Sequence, residues 1–175
     1  KRQRLDKIRK SIKTEEDFWD FHNELSLYTT IVLCIATTHR PTLDPFYSTK
    51  TFIEEDLIQL TEKVIMTGFE GRLSVINQTC NHQVNAYLSQ LKLIHGIYQT
   101  QGQLEIAKAI YKLLAGEHNP NHGLPLFFLV KNFKIESITK SDFIEYLQSI
   151  DPIQLKDNFY RHLFSTFMAK NSVPR

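Results

Sequence analysis

Apolar residues recur at three- and four-residue steps along much of this chain, which is the pattern of helices that bury one face. One such stretch starts at Thr14, a hydroxyl cap followed by three acidic residues, and continues to about Thr38. Pro41 follows it closely and cannot continue a helix. Two further stretches, residues 81–98 and 104–114, have the same period. The sequence therefore predicts several helices around a common core.

Short β-branched segments interrupt this helical pattern. Residues 57–61 and 72–76 predict two strands of a β-hairpin with a long, glycine-containing connection. Residues 126–130 predict another short strand, and Ser141 is expected to cap a helix that ends near Ile150. The expected fold class is mainly α (α+β), a helical bundle-like core with a small antiparallel β-sheet.

The length and composition bound the organisation of the chain. With 175 residues, 42% of them hydrophobic, the chain can bury one sizeable core. We therefore expect a basic linker or helix over residues 1–13 and one domain over residues 14–175. No apolar run reaches the roughly 18 residues that cross a bilayer, so no membrane partner is expected. Cys34 and Cys80 are too few for a disulfide framework, and they predict reduced thiols in a cytoplasmic protein.

Charge is unevenly distributed along the chain. Residues 1–10 carry six basic side chains and one acidic side chain, whereas residues 11–120 carry eight basic and thirteen acidic ones. Residues 121–175 are again slightly basic. A basic N-terminal segment can follow a phosphate backbone, although a solvated helix start beside a missing domain has the same composition.

Metal and cofactor signatures are weak. His118 and His122 lie in a segment rich in glycine, asparagine and proline, and no cysteine or third histidine has ligand spacing to them. The six glycines are scattered, so no phosphate-binding loop is formed. The sequence therefore predicts no metal and no small-molecule cofactor.

Three basic residues remain as candidates for chemistry. Arg161 and His162 flank an apolar stripe in residues 155–167, and an arginine at the edge of a core usually binds an anion. Arg40 lies at the exit of the first long helix. Lys63 follows the first strand of the predicted hairpin.

These elements, in this order, resemble the catalytic domain of the tyrosine recombinases, the phage-type integrases. Residues 35–41, which contain Arg40, are similar to the helix exit that carries the family's first catalytic arginine. The predicted hairpin with Lys63 resembles the family's hairpin with its catalytic lysine. Residues 158–162, Asn-Phe-Tyr-Arg-His, resemble its His-x-x-Arg-His motif. The resemblance covers most of the chain from about Thr14.

The resemblance implies a function and a set of site residues. Arg40, Lys63 and Arg161 would be catalytic, with Asn158 and His162 as supporting phosphate contacts. The implied partner is double-stranded DNA, with self-association on the DNA left open. The implied setting is a bacterial, DNA-associated protein of the cytoplasm that recombines or integrates DNA without a metal.

Two departures from the family pattern keep alternatives open. Asn158 stands where the family usually has a histidine, so it can bind a phosphate but cannot transfer a proton. The nucleophilic tyrosine is expected after Arg175, so the domain is expected to be C-terminally incomplete, and Tyr160 is expected to be a packing residue. One alternative, favoured by Asn158, is a DNA-binding relative without catalytic activity. Another, favoured by the acidic middle of the chain, is a helical protein-interaction module in which Arg40 and Arg161 form salt bridges.

Overall fold

The computed structural model describes residues 2–37, 52–54, 57–61, 71–117 and 123–150. The helices in these ranges are α1 (Arg2–Ser11), α2 (Glu15–Thr37), α3 (Gln78–Thr100), α4 (Leu104–Ala115) and α5 (Lys140–Ile150). The strands are β1 (Phe52–Glu54), β2 (Leu57–Thr61), β3 (Gly71–Val75), β4 (Phe128–Lys131) and β5 (Lys134–Ser137). Helices dominate the described part of the chain and the sheets are small and antiparallel, so the predicted mainly α (α+β) class is confirmed.

Helix α2 begins with a reciprocal cap. The Thr14 Oγ1 accepts a hydrogen bond from the Asp17 backbone N–H (3.1 Å), and the Asp17 carboxylate accepts one from the Thr14 N–H (2.9 Å). Backbone hydrogen bonds from Lys13 and Thr14 hold the pKa of Asp17 below its usual value. The predicted helix from Thr14 to about Thr38 is therefore confirmed to within one residue at each end.

Helix α5 begins with the same kind of cap, but not at the predicted residue. The Asp142 carboxylate accepts from the Thr139 N–H (2.8 Å), and the Asp142 N–H donates to the Thr139 hydroxyl (3.2 Å). The cap expected at Ser141 is wrong, because Thr139 has an acidic partner three residues on and Ser141 already lies in the helix. Burial opposes ionisation of Asp142, but hydrogen bonds from Lys131 and Thr139 outweigh it and lower the pKa.

Helix α1 is packed against the rest of the structure. Leu5 is buried in the main core, and Ile8 and Ile12 pack against that core at helical spacing. Lys7 and Lys10 lie on the opposite, exposed side. Lys7 and Lys10 thus belong to a helix whose outward face is fixed by the packing of its apolar side.

Helices α3 and α4 form an antiparallel pair joined by a tight turn. Gly102 in this turn and Gly116 at the end of α4 have positive φ angles of 73° and 71°, which glycine adopts without steric cost. Both helices were predicted. Helix α3 starts three residues earlier than expected, where the Asn77 side chain accepts from the Cys80 N–H.

The first sheet has the order β1-β2-β3 and is antiparallel throughout. Leu57 pairs with Val75 and Thr61 with Gly71, so the predicted hairpin is confirmed. Ile58 is fully buried and anchors the sheet to the main core. Strand β1 was not predicted, because three residues are too short to show an alternating pattern.

The second sheet is the β4–β5 hairpin. Residues 128–130 of β4 are buried, whereas β5 is largely exposed. The turn residues Asn132 and Phe133 both have positive φ (50° and 61°), as a type I′ turn requires. Strand β5 was missed because phenylalanine replaces the glycine that usually marks such a turn.

The side chain of Asn23 joins α2 to β4. Its amide nitrogen donates to the Val130 carbonyl (2.8 Å), and its carbonyl oxygen accepts from the Val130 N–H (2.7 Å). One side chain therefore satisfies both backbone polar groups of a residue that is 4% exposed.

We expect Asn23→Leu to destabilise the fold by about 2–4 kcal/mol, because it leaves two buried backbone groups without partners. Urea unfolding followed by circular dichroism measures this change. Asn85→Leu, at an exposed position of α3, is the matched control and is expected to stay within about 0.5 kcal/mol of the parent. Equal effects of the two substitutions would contradict the role of Asn23.

Candidate functional site

The residues of the predicted phosphate clamp lie outside the described part of the chain. These are Arg40, Lys63, Asn158, Arg161 and His162, and the same holds for Tyr160, His118 and His122. Their catalytic and supporting roles stay predictions.

The structure does describe the elements that lead into two of these residues. Helix α2 ends at Thr37, three residues before Arg40. Strand β2 ends at Thr61, two residues before Lys63, and its antiparallel partner β3 resumes at Gly71. Lys63 thus belongs to the connection between two paired strands.

A cavity of about 600 Å³ lies between α1, α2 and α3, and we call it the helix groove. Its apolar lining includes Leu5 and Ile12 from the N-terminal segment and Phe18, Phe21 and Leu25 from α2. Phe21 and Leu25 are buried core residues, so one wall of the groove is continuous with the hydrophobic core.

The polar lining of the helix groove has both exposed and buried parts. Asp6 and Arg9 are exposed and lie one helical turn apart on α1. Gln90 on α3 is only 6% exposed, and its amide nitrogen has no hydrogen-bond partner. Gln83, two turns earlier, donates to the Thr29 hydroxyl (3.0 Å). The Gln90 amide nitrogen is thus a buried donor without a partner, and it is not accessible from the groove.

His22 of α2 is buried between α3 and β4. Its ring lies 6.0 Å from that of Tyr87 and 4.9 Å from that of Phe128. Burial lowers the pKa of His22 to about 3, although the Phe128 backbone acts in the opposite direction. Neither ring nitrogen has a partner at ordinary hydrogen-bond geometry. His22 is therefore neutral at pH 7 and, being fully buried, is a structural residue.

Other reactive groups in the described ranges are not arranged for catalysis. Cys34 and Cys80 are both buried, and burial raises the pKa of the Cys80 thiol to about 11. Within these ranges, no three histidine, cysteine or acidic side chains lie close enough together to hold a metal ion. The described helices also include none that is long and apolar enough to span a bilayer.

A second cavity of about 440 Å³ lies between α2 and the β4–β5 hairpin, and we call it the hairpin cleft. Glu16 and Asp20 line it with exposed carboxylates. Phe133, 67% exposed, and the buried Trp19 provide aromatic surface. Lys131 also lines the cleft, but its ammonium is paired with Asp142 and Glu136. The cleft is therefore acidic and aromatic overall, in contrast to the basic face of α1.

Sequence reasoning missed His22 and Gln90. His22 follows Phe18 by four residues and precedes Leu25 by three, and Gln90 follows Tyr87 by three and precedes Ile94 by four. The sequence signal that could have identified both residues is therefore a polar side chain at a buried position of the helical repeat.

The chain matches no family model and has no significant similarity to a curated protein or to a solved structure.

The buried His22 predicts a loss of stability in mild acid. Between pH 6.5 and 3 the unfolded chain binds a proton that the folded chain does not, so the free energy of unfolding falls as the pH falls. The expected loss from this residue is about 2 kcal/mol between pH 7 and pH 5. Urea unfolding at the two pH values measures it.

His22→Met replaces the titratable imidazole with an apolar side chain of similar volume. The free energy of unfolding of this variant is therefore expected to depend less on pH than that of the parent. His82→Met, at an exposed position of α3, is the control. Parallel pH profiles for the parent and His22→Met would refute the assignment.

Proposed function

We propose that this chain forms the catalytic core of a site-specific DNA recombinase of the tyrosine-recombinase type. The partner is double-stranded DNA in a bacterial cytoplasm, and the reaction is cleavage and rejoining of a DNA strand. Support comes from the order of the described elements around the predicted clamp residues.

The observation that carries the proposal is the antiparallel β2–β3 pair with Lys63 in its connection. A long helix ends three residues before Arg40, upstream of this sheet. Helices α3, α4 and α5 follow the sheet, before the segment with Arg161. This is the order that the resemblance to the recombinases requires.

The proposed chemistry follows from charge. Attack of a tyrosine oxygen on a DNA phosphodiester forms a phosphotyrosine bond, breaks the bond from phosphorus to the 5′ oxygen and concentrates negative charge on two non-bridging oxygens. Arg40 and Arg161 hold these oxygens through bidentate hydrogen bonds and remain charged at any working pH. Asn158 and His162 donate further hydrogen bonds to the phosphate.

The proton balance assigns a role to Lys63. The attacking tyrosine hydroxyl loses its proton to water, and the leaving 5′ oxygen gains a proton from the Lys63 ammonium. The energy of the cleaved bond is retained in the phosphotyrosine, so the reverse reaction rejoins the strand. The resemblance expects this tyrosine after residue 175.

Surface charge supports one side of the protein as the DNA side. Lys7 and Lys10 are exposed on the outward side of a helix that the core holds in place, so they form a fixed basic face. The acidic hairpin cleft, lined by Glu16 and Asp20, would repel phosphate. We therefore propose that DNA contacts the α1 side and avoids the hairpin cleft.

Duplex DNA binding is expected to weaken as salt is raised, with a log–log slope of about −0.9 for each phosphate neutralised. Titration at several salt concentrations, with fluorescence anisotropy of a labelled duplex, measures the slope. Neutralising Lys7 and Lys10 together is expected to make the slope shallower by up to about 2. The matched control neutralises Lys108 and Lys112, two exposed lysines of α4.

The clamp is tested in the same assay. Arg161→Ala is expected to weaken duplex binding, because a phosphate contact is lost. Residues 1–175 by themselves are expected to form no covalent adduct on a nicked duplex. Salt-independent or absent binding, with Arg161→Ala indistinguishable from the parent, would contradict the recombinase function.

A catalytically inactive DNA-binding relative is the second candidate, and Asn158 favours it. Such a relative would share the salt-dependent binding, but it would not cleave a DNA strand even in a polypeptide that includes the tyrosine.

A helical protein-interaction module is the third candidate, and the exposed Leu73 and Val75 on one face of the first sheet favour it. It predicts no DNA binding at all.

A further inference from the structure

We propose that the hairpin cleft binds the guanidinium of an arginine side chain presented by a partner polypeptide. The guanidinium lies between the carboxylates of Glu16 and Asp20 and the ring of Phe133. None of these three residues belongs to the proposed phosphate clamp or to the basic face of α1, so the inference does not rest on the recombinase function.

The first reason is a pair of accessible carboxylates without a counter-charge. Glu16 and Asp20 are both exposed, line the cleft and lie four residues apart on α2, which places them on one face of the helix. Like charges at this spacing repel each other, and neither carboxylate has an ion pair within the described ranges. Asp20 also lies beyond the first turn of α2, where the helix dipole no longer stabilises an acid. A cation in the cleft would relieve this repulsion.

The second reason is the ring of Phe133. It is 67% exposed at the tip of the β4–β5 hairpin, so burial in the core does not account for it. Its φ angle of 61° lies in the left-handed region, which a bulky side chain adopts at a steric cost and glycine adopts freely. Strain at an exposed aromatic residue indicates a contact made outside the fold. An aromatic ring beside two carboxylates is suited to binding a cation.

The third reason is that both walls of the cleft are fixed in advance. Asn23 joins α2 to the hairpin through hydrogen bonds of 2.8 Å and 2.7 Å to the Val130 backbone. The Lys131 ammonium also lines the cleft, but it is paired with Asp142 at 2.5 Å rather than with the α2 carboxylates. A site that is already ordered loses less entropy when a ligand binds.

The form of the cleft favours an arginine over other cations. A guanidinium is planar, donates from five N–H groups and stacks on aromatic rings, so it can contact two carboxylates and Phe133 together. A lysine ammonium is a strongly hydrated point charge without a stacking face. Since the carboxylates and the ring remain exposed, the cleft would enclose a free small molecule only in part, and a side chain anchored in a polypeptide is the better fit.

Four probes separate these features: a capped Gly-Arg-Gly peptide, the same peptide with citrulline or with lysine at its centre, and free L-arginine. Each is titrated into the ¹⁵N-labelled full chain at about 0.15 M salt, and the Asp20 and Phe133 amide signals are followed by NMR. The arginine peptide is expected to shift both signals and to bind about 10-fold more tightly than the citrulline peptide, which has the same shape without the charge. The lysine peptide and free arginine are each expected to bind more weakly than the arginine peptide.

Variants of the cleft test the same contacts from the side of the protein. Glu16→Gln combined with Asp20→Asn keeps the shape of the cleft and is expected to lower arginine-peptide affinity about 5-fold. Phe133→Gly gives the Asn-Gly pair that this turn favours, so affinity is expected to fall about 3-fold without loss of thermal stability. Glu105→Gln combined with Glu117→Gln removes the same charge at exposed positions elsewhere and is expected to bind like the parent.

Unshifted Asp20 and Phe133 signals up to tens of millimolar arginine peptide would overturn the proposal. So would equal affinities of the arginine and citrulline peptides in the parent chain, a comparison that requires no variant to fold. A lysine peptide that binds as tightly would overturn the selection for arginine, and free arginine that binds as tightly would overturn the polypeptide source.

Discussion

The packing of His22 between Tyr87 and Phe128 joins the three elements on which the described structure depends, α2, α3 and β4. The imidazole is fully buried and neutral, so it acts as a flat, tightly packed ring. Next to it, Trp19 stacks on Tyr98 at a centroid distance of 5.8 Å and extends the aromatic layer along the α2–α3 contact. The layer fixes how α2 and α3 lie against each other, and the helix groove opens along the same pair of helices.

The buried strand β4 imposes a second constraint, because its backbone groups must find partners away from water. The β5 strand satisfies one edge, and the Asn23 amide satisfies Val130 from the side of α2. Similar local solutions occur at the helix starts, where Thr14–Asp17 and Thr139–Asp142 cap α2 and α5. The fold therefore combines an aromatic core with a few precisely placed polar side chains.

The surfaces around this core differ in charge, and that difference organises the proposed functions. The α1 face is basic, the hairpin cleft is acidic and the helix groove is close to neutral. The proposed DNA contact uses the first of these surfaces.

The sequence by itself determined the long helices and the β2–β3 hairpin, because the periods of their apolar residues and the Thr14 cap are local signals. It could not determine β5, whose turn lacks glycine, or the cap at Thr139. Arg40, Lys63 and Arg161 were proposed from sequence. Whether they converge depends on the tertiary structure, and all three lie outside the described residues. Only the tertiary structure decided that His22 and Gln90 are buried and that Asn23 completes β4, because burial and long-range hydrogen bonds depend on which helices pack together.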